Sequence, residues 1–441
     1  MKTIRIGCGA GYSGDRLDPA VELAQRGSIS YLVFECLAER TIALAQASRL
    51  LHGTPGYDPL LEERMEAVLP ICAAKKTRII SNMGAANPAA AAKVTREIAQ
   101  RLGLPKLRVA AITGDDVLEL IRDDDSMSSF LSEASCGRLV SANAYLGAEP
   151  IVQALAEGAD VILTGRVADP SMFLAPLIYE FGWAMDDWTI LGKGTVIGHL
   201  LECAGQITGG YFADPDYKTV SNLAHLGFPL AEVSQNGVAI ITKVDQSGGL
   251  VTRATCTEQL LYEIEDPSHY LTPDVIADFS EVFFDDDGVD RVRVSNGRGK
   301  PRPDTLRVSV GYHEGHVGEA QISYAGPGAM ARAKLAQQIL CERLRNHNLK
   351  QLRFDFIGVN SILGGGLPEV QCEPYEIRLR AVGRSDSRQA ASMVPREVEA
   401  LYTNGPAGGG GVVGSTKETI AIRSLLIPRE SVSYQIHYEV S

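Results

Sequence analysis

The amino-acid sequence predicts an α/β protein, in which an N-terminal domain with a parallel sheet of βαβ units is followed by a smaller α+β domain. Three observations lead to this fold class. The 441 residues exceed the size at which one hydrophobic core usually stops growing. Short β-branched runs alternate with longer amphipathic stretches in the first part, as in βαβ units. After residue 228 strand-like runs and turns dominate, so we expect domains at 1–228 and 229–441.

The elements of the first domain follow from short apolar runs and helix-start signals. Strands are predicted at Ile4–Gly7, Ser30–Glu35, Arg78–Asn82, Arg108–Thr113 and Val161–Thr164. Helices are predicted at Asp18–Gln25, Leu37–Leu51, Pro59–Ala74, Pro88–Leu102 and Glu149–Ala156. Asp18 and Pro19 illustrate the signal, because an N-cap acid followed by proline starts a helix. Since open parallel sheets bind ligands at the carboxyl ends of their strands, we expect the polar residues there to share one pocket.

The second domain has the alternating pattern of antiparallel strands. Strands are predicted at Gly237–Val244, Gly249–Thr255, Asp290–Ser295, Thr305–Tyr312 and Val432–Val440. One long helix is predicted at Gly328–Arg345. Two segments rich in turn-forming residues, Ser295–Pro303 and Thr403–Gly411, are expected to be loops.

Composition and charge exclude several classes of protein. The net charge is −12 and no cluster of Lys and Arg is visible along the chain, which argues against a nonspecific nucleic-acid binder. The apolar runs are far shorter than the roughly 20 residues of a membrane-spanning helix, and the N-terminus has no secretory signal. The eight cysteines show no Cys-x-x-Cys spacing and are expected to be reduced thiols. We therefore expect a soluble, cytoplasmic protein with a small-molecule partner and no nucleic acid or membrane partner, and its size favours a homo-oligomer.

A glycine-rich turn follows the first strand. Residues Gly9–Gly14 match the pattern G-x-G-x-x-G, and Glu35 at the end of the second strand supplies the acidic residue of a dinucleotide-binding site. The pattern is incomplete, because Asp15 places negative charge where a pyrophosphate would bind and the helix begins late. The sequence therefore disfavours NAD(P) and flavin cofactors and favours a glycine turn beside a pocket. We assign Gly11 and Arg16 to substrate binding and Asp15 to proton transfer, with solvated loop charges as the alternative.

Four further polar residues are assigned to substrate binding. Asn82 and Asn143 carry amides that could bind a carboxylate or a developing oxyanion. Arg166 follows a buried strand, and its planar fork suits a carboxylate or phosphate because it donates two parallel hydrogen bonds. Asp169 could hold Arg166 in place, act as a base, or cap a helix that begins at the next residue.

A short segment near residue 200 has the densest group of reactive side chains. On a helix, His199 lies three residues before Glu202 and four before Cys203, so the three share one face. They could provide a base, an orienting carboxylate and a thiol nucleophile, or metal ligands; a buried thiol beside a surface His and Glu is the structural alternative. We assign these three residues and Glu35 to catalysis, and Gln206 to substrate binding.

Eight motifs in order give the chain a family resemblance. They are Gly9–Arg16, Glu35–Thr41, Ser81–Pro88, Asn143–Gly147, Thr164–Ser171, His199–Pro215, Gly227–Val233 and Gln259–Pro267. Together they resemble the motif series of the acyclic terpene utilisation (AtuA) family over nearly the whole chain. The resemblance implies a role in the breakdown of acyclic terpenes such as citronellol and geraniol, which proceeds through acyl-CoA esters. It carries over no set of catalytic residues, so the site assignments rest on residue chemistry.

The preferred functional hypothesis is a catabolic enzyme that acts on a small branched or hydroxylated carboxylic acid or its CoA ester, as a hydratase or dehydratase-type lyase. Its basis is the set of strand-end carboxylates and amides without a persuasive redox-cofactor site. Two alternatives stay open: a nucleotide-dependent oxidoreductase that uses the Gly9–Gly14 turn, and a non-catalytic assembly subunit. No metal ligands are assigned, although a divalent metal as cofactor also stays open, because scattered carboxylates could gather around magnesium.

Overall fold

The computed structural model describes residues 2–104, 106–123, 138–364 and 374–441. About 35% of the described residues are helical and 31% are in strands, with parallel and antiparallel pairing in the sheets, which confirms a mixed α/β protein. Residue contacts group the described parts into two compact units. The described residues of the first unit are 2–104, 106–123, 140–311 and 422–441, and those of the second are 138–139, 312–364 and 374–421. This grouping differs from the division at residue 228, because strands that follow that position extend the sheet of the N-terminal part.

The main sheet of the first unit has a parallel centre. The first six strands are β1 (Thr3–Ala10), β2 (Tyr31–Phe34), β3 (Arg78–Ser81), β4 (Arg108–Thr113), β5 (Leu139–Ala144) and β6 (Val161–Thr164). Five of them pair in parallel in the order β1-β2-β3-β6-β4. All residues of β2 and β6 are buried, which explains their continuous apolar runs. The five strands predicted for the N-terminal part are confirmed, whereas β5 was not predicted.

Helices connect these strands, and most begin at signals visible in the sequence. They are α1 (Asp18–Arg26), α2 (Glu39–His52), α3 (Leu61–Lys75), α4 (Pro88–Arg101), α5 (Leu118–Asp123), α6 (Glu149–Ala156), α7 (Asp169–Phe181) and α8 (Trp188–Glu202). Helix α4 has Pro88 in its first turn, and the Asn87 side chain accepts a hydrogen bond from Ala90 N at 3.2 Å. The five helices predicted here are confirmed, although α2 begins at Glu39 rather than Leu37.

The rest of the first unit is mostly antiparallel. Its elements are β7 (Pro229–Ser234), β8 (Ala239–Lys243), α9 (Arg253–Leu261), β9 (Tyr270–Leu271), β10 (Ile276–Asp278), β11 (Phe283–Asp286), β12 (Val292–Ser295) and β13 (Arg298–Lys300). Strand β7 pairs antiparallel with β1, and β8, β12 and β11 continue the sheet outward. Strands β13, β10 and β9 form a separate small sheet.

Two predictions in this region are wrong. The strand predicted at Gly249–Thr255 is replaced by the start of α9 at Arg253, because Thr252 and Thr255 form a reciprocal capping box with bonds of 3.2 and 3.0 Å. The loop predicted at Ser295–Pro303 contains β13, which pairs with β10. In both places a specific tertiary or capping bond overrides the local preference of the residues.

From residue 305 onward, the helices and strands described for the second unit follow the order β-α-β-β-α-β. Its elements are β14 (Thr305–Ala325), α10 (Ala329–Leu344), β15 (Gln351–Ile357), β16 (Glu376–Ser385), α11 (Arg388–Asn404) and β17 (Gly410–Pro428), and the division between the units falls within β14 and β17. The sheet order is β15-β16-β14-β17, and Ile377 and Leu379 of β16 lie in a core with Ala333 and Leu340 of α10. The final strand, β18 (Gln435–Val440), returns to the first unit and pairs antiparallel with β4. The helix predicted at Gly328–Arg345 and the strands predicted at Thr305–Tyr312 and Val432–Val440 are confirmed.

Candidate functional site

A cavity of about 360 Å³ lies in the first unit, beside the carboxyl end of β6 and the first turn of α7. This is the edge at which open parallel sheets bind ligands. Charged and aromatic lining residues are Glu39, Tyr145, Arg166, Asp169, His199, Glu202, Glu263, Tyr270 and Arg307. The apolar lining includes Pro170, Leu271, Pro273, Leu306 and Leu426. Four of the residues assigned from the sequence therefore meet in one cavity, namely Arg166, Asp169, His199 and Glu202.

Arg166 is buried in the wall of this cavity, two residues after β6 ends. Its side chain is 2% exposed. Nη1 donates to the carbonyl oxygen of Leu37, and Nη2 donates to Asp169 Oδ1 at 2.6 Å. The guanidinium also lies over the ring of Tyr145, 4.3 Å from the ring centroid. Because both arms of the fork have protein acceptors, Arg166 is held by the protein and in turn orients Asp169.

Asp169 is the first residue of α7 and keeps part of its side chain, 32%, accessible from the cavity. Burial raises the pKa of this carboxyl well above its usual range, against the opposing effect of the Arg166 charge. The nearby carboxyls of Glu35 and Glu202 act in the same direction as burial, because like charges in a desolvated site cannot all ionise. Asp169 is therefore suited to hold a proton at neutral pH.

A buried carboxylate fixes the backbone of Arg166. Asp115 Oδ2 accepts hydrogen bonds from Arg166 N at 2.8 Å and from Asn143 Nδ2 at 2.9 Å. Burial raises the pKa of Asp115 to about 6. A Cβ atom on Gly165 would lie 2.4 Å from an oxygen of Asp115, so glycine is needed for this approach. Asn143 therefore contacts Asp115 and does not line the cavity. Its Oδ1 has no protein partner within the described residues.

Glu35 and Asn82 form a second buried support outside the cavity lining. Glu35 Oε1 accepts hydrogen bonds from Leu37 N at 2.8 Å and Asn82 Nδ2 at 3.0 Å. Asn82 Oδ1 accepts from Cys36 N at 2.7 Å, so this amide fixes the loop after β2. Burial raises the pKa of Glu35 to about 7, against the lowering effect of the Arg166 charge.

His199 and Glu202 form a buried pair on the last turns of α8, as the helical spacing predicts. His199 Nδ1 lies 2.9 Å from Glu202 Oε1, and Nε2 lies 3.2 Å from the carbonyl oxygen of Leu260. A carbonyl only accepts, so Nε2 carries a hydrogen, and one proton must be shared between Nδ1 and Oε1. Burial raises the pKa of Glu202, opposed by the His199 charge. Glu202 Oε2 has no hydrogen-bond partner in the described part of the chain.

Five charged or aromatic cavity residues were not assigned from the sequence: Glu39, Tyr145, Glu263, Tyr270 and Arg307. The Tyr145 hydroxyl donates to Glu39 Oε1, and Arg307 Nη2 lies 3.4 Å from the same oxygen. Tyr145 N donates to Arg307 O at 2.9 Å, which brings β14 to the cavity. Glu39, Tyr145 and Glu263 fall within three of the eight sequence motifs, whereas Tyr270 and Arg307 lie in antiparallel strands without a local signal.

The other assigned residues lie outside the cavity lining. Asp15 accepts hydrogen bonds at 2.9 Å from the backbone N of both Gly11 and Arg16, so it closes its own loop. Arg16 is exposed and donates to the carbonyl oxygen of Ala224 at 2.8 Å. Cys203 follows the last residue of α8, and burial raises the pKa of its thiol, which disfavours a nucleophilic thiolate. Gln206 lies in the short 3₁₀ helix that follows.

The glycine turn packs against protein. A Cβ on Gly11 would lie 2.5 Å from the backbone carbonyl carbon of Cys203, and a Cβ on Gly9 would lie 2.7 Å from the ring of Phe34. Close approach to other parts of the chain therefore accounts for these glycines. No group of three or more His, Cys, Asp or Glu residues is placed to hold a metal ion in 2–104, 106–123, 138–364 and 374–441. Cys136 and Cys372 lie outside these ranges.

The fold and the cavity define a mixed α/β protein with a carboxyl-rich pocket at the carboxyl end of a parallel sheet. The model of the acyclic terpene utilisation family protein AtuA matches residues 4–438, and the chain belongs to this family. Membership supports involvement in acyclic terpene utilisation. No curated protein and no solved structure matches the chain. None of the described helices has the length and apolar character needed to span a membrane.

Proposed function

We propose that the cavity is the acid–base site of a hydratase or dehydratase-type lyase that acts on a small branched or hydroxylated carboxylic acid or its CoA ester. One observation carries this proposal. Two carboxyls with raised pKa values, those of Asp169 and Glu202, line the same cavity. Raised pKa values let a carboxyl exchange protons near neutral pH, which general acid–base catalysis requires.

The two carboxyls have different partners and so suit different roles. Glu202 shares a proton with His199 at Oε1, while its Oε2 has no protein partner within the described ranges. Glu202 therefore takes a proton from the substrate carbon next to the carbonyl, and His199 compensates its charge. Asp169 is held by Arg166 and favours its protonated form, so it donates its proton to the leaving hydroxyl.

The proposed reaction is the elimination of water from a hydroxy acid. The C–H bond next to the carbonyl breaks and its proton goes to Glu202. The C–O bond to the neighbouring carbon breaks, and the hydroxyl leaves as water with the proton of Asp169. A carbon–carbon double bond forms, and no oxidant or reductant is needed. In the reverse direction, Asp169 takes a proton from attacking water and Glu202 protonates the carbon.

The test is turnover of branched 3-hydroxy acids, the matching 2-enoic acids and their CoA esters, followed by proton NMR. We expect interconversion of one hydroxy–enoic pair by the purified protein. Asp169→Asn should lower the rate about 10²- to 10⁴-fold, the usual contribution of a general acid. Asp186→Asn, at an exposed position on another segment, is the matched control and should keep the wild-type rate. Equal rates for Asp169→Asn and the control would remove this assignment.

A further inference from the structure

We infer that the substrate of the reaction proposed above is a free carboxylic acid, bound through its carboxylate by Arg307. This inference rests on the proposed function and names the chemical class that the site takes. It assigns a binding role to a residue of β14, and it places the two ends of the substrate within the cavity.

Arg307 lines the cavity with a guanidinium that is partly exposed and whose donors are not all bound by protein acceptors. Its side chain is 53% exposed. Nε donates to Ser424 Oγ at 3.1 Å, and Nη2 lies 3.4 Å from Glu39 Oε1. Nη1 has no acceptor among the residues that the structure describes. The guanidinium is also 5.2 Å from the centroid of the Tyr145 ring, which holds it over a rigid surface.

The buried part of the cavity is unsuited to a second anion. Asp169 and Glu202 line it, and burial raises the pKa of both, because a desolvated site disfavours negative charge. The buried cation, Arg166, donates to Leu37 O and Asp169, and its Nε is enclosed without a partner. The substrate carboxylate therefore accepts hydrogen bonds from Arg307, while the uncharged, hydroxylated part of the substrate lies beside Asp169 and Glu202.

The size and lining of the cavity agree with a compact acid. A volume of about 360 Å³ is near the lower end of the roughly 300–1,000 Å³ of ligand pockets. Pro170, Leu271, Leu306 and Leu426 offer apolar surface for a branched alkyl chain. A CoA thioester has lost the carboxylate charge, so its acyl group gives Arg307 no anion to bind.

The experiment compares three ligands that share one chain: 3,7-dimethyloct-6-enoate, its primary amide and its CoA thioester. Dissociation constants are measured by calorimetry with the full-length protein. We expect the acid to bind more tightly than the amide and the thioester. Arg307→Ala should weaken binding of the acid about 10- to 100-fold, as expected for a lost charge-assisted hydrogen bond, and leave the amide unchanged. Arg101→Ala, an exposed arginine of α4, is the matched control and should bind the acid as the wild type does.

Several results would overturn the inference: no binding of the acid, equal binding of the amide or thioester to the wild type, or an unchanged dissociation constant for the acid in Arg307→Ala. Melting temperatures of the variants show whether each is folded. Measuring acid binding in Asp169→Asn separates the two claims, because this variant should lose turnover while it still binds the acid. Turnover retained in Asp169→Asn contradicts the proposed reaction, and it leaves the binding role of Arg307 to be judged by the calorimetry alone.

Discussion

Replacement of Arg166 by methionine tests the buried charge network that supports the cavity. The substitution removes the donors to Leu37 O and to Asp169, and it leaves a carboxyl that was paired at 2.6 Å. Each buried acceptor that loses its charged donor costs about 1–3 kcal/mol. The cost at Asp169 is at the lower end, because its side chain keeps 32% of its surface accessible to solvent. With the loss at Leu37 O added, we expect the free energy of unfolding to fall by about 3 kcal/mol at pH 8.

The loss should depend on pH in a defined direction. The Arg166 charge lowers the pKa values of Glu35 and Asp169, so its removal raises both in the folded protein. Stability from an acid with a raised folded pKa is fully present below its unfolded pKa, about 4, and is lost as pH rises through the folded value. The difference between Arg166→Met and the wild type should therefore be smaller at pH 5 than at pH 8.

Urea unfolding at pH 5 and pH 8 measures both quantities. Arg101→Met is the matched control, because Arg101 and Glu66 form an exposed pair with side chains 60% and 50% accessible. Such pairs contribute about 0–1 kcal/mol, so the control should stay close to the wild type at both pH values. A variant as stable as the wild type at pH 8, or a loss that is larger at pH 5, would refute the proposed network.

Three further perturbations test other parts of the site. Gly11→Ala should lower the free energy of unfolding in urea by about 1–3 kcal/mol, because its Cβ would lie 2.5 Å from the backbone of Cys203. Gly410→Ala is the control, because a Cβ there has open space and should leave stability unchanged. Equal effects of the two substitutions would argue against close packing of the turn. Asn82→Leu should cost about 2–3 kcal/mol, because it removes the acceptor of Cys36 N and one of the two donors to Glu35 Oε1, and an unchanged midpoint would contradict this role. Between pH 5 and pH 8 the wild type should lose stability, since burial raises the pKa of Glu35 to about 7 and that of Asp115 to about 6. Glu35→Gln keeps an acceptor oxygen and should reduce this pH dependence; an identical pH profile would exclude Glu35 as its source.

Much of the N-terminal architecture could be predicted because its signals are local. Strand β6 is a run of four buried residues, and α4 and α7 each begin with proline in the first turn. The antiparallel part was harder to predict, because the pairing of a short strand such as β13 depends on partners that are distant in sequence. At Thr252 a capping box between two threonines overrides the β preference of the residues around it.

In the candidate site, too, contacts between residues close in sequence could be predicted, and contacts between distant residues could not. The contact between Arg166 and Asp169 follows from spacing across a strand–helix junction, and the contact between His199 and Glu202 follows from helical spacing. Arg307 comes from β14, about two-thirds of the chain after β1, and no local pattern indicates that it reaches the cavity. For Asp15 the residue chemistry suggested proton transfer, yet its carboxylate is used by backbone N–H groups of its own loop.

In the proposed reaction, Glu202 removes a proton from the carbon next to the substrate carbonyl. The most direct test is incubation of the enoic or hydroxy acid that the protein turns over in D₂O, with deuterium at that carbon measured by NMR. We expect the wild type and Glu281→Gln, an exposed control, to incorporate deuterium, whereas Glu202→Gln should do so at least about 100-fold more slowly. Turnover by the wild type without deuterium at that carbon, or undiminished incorporation by Glu202→Gln, would contradict it.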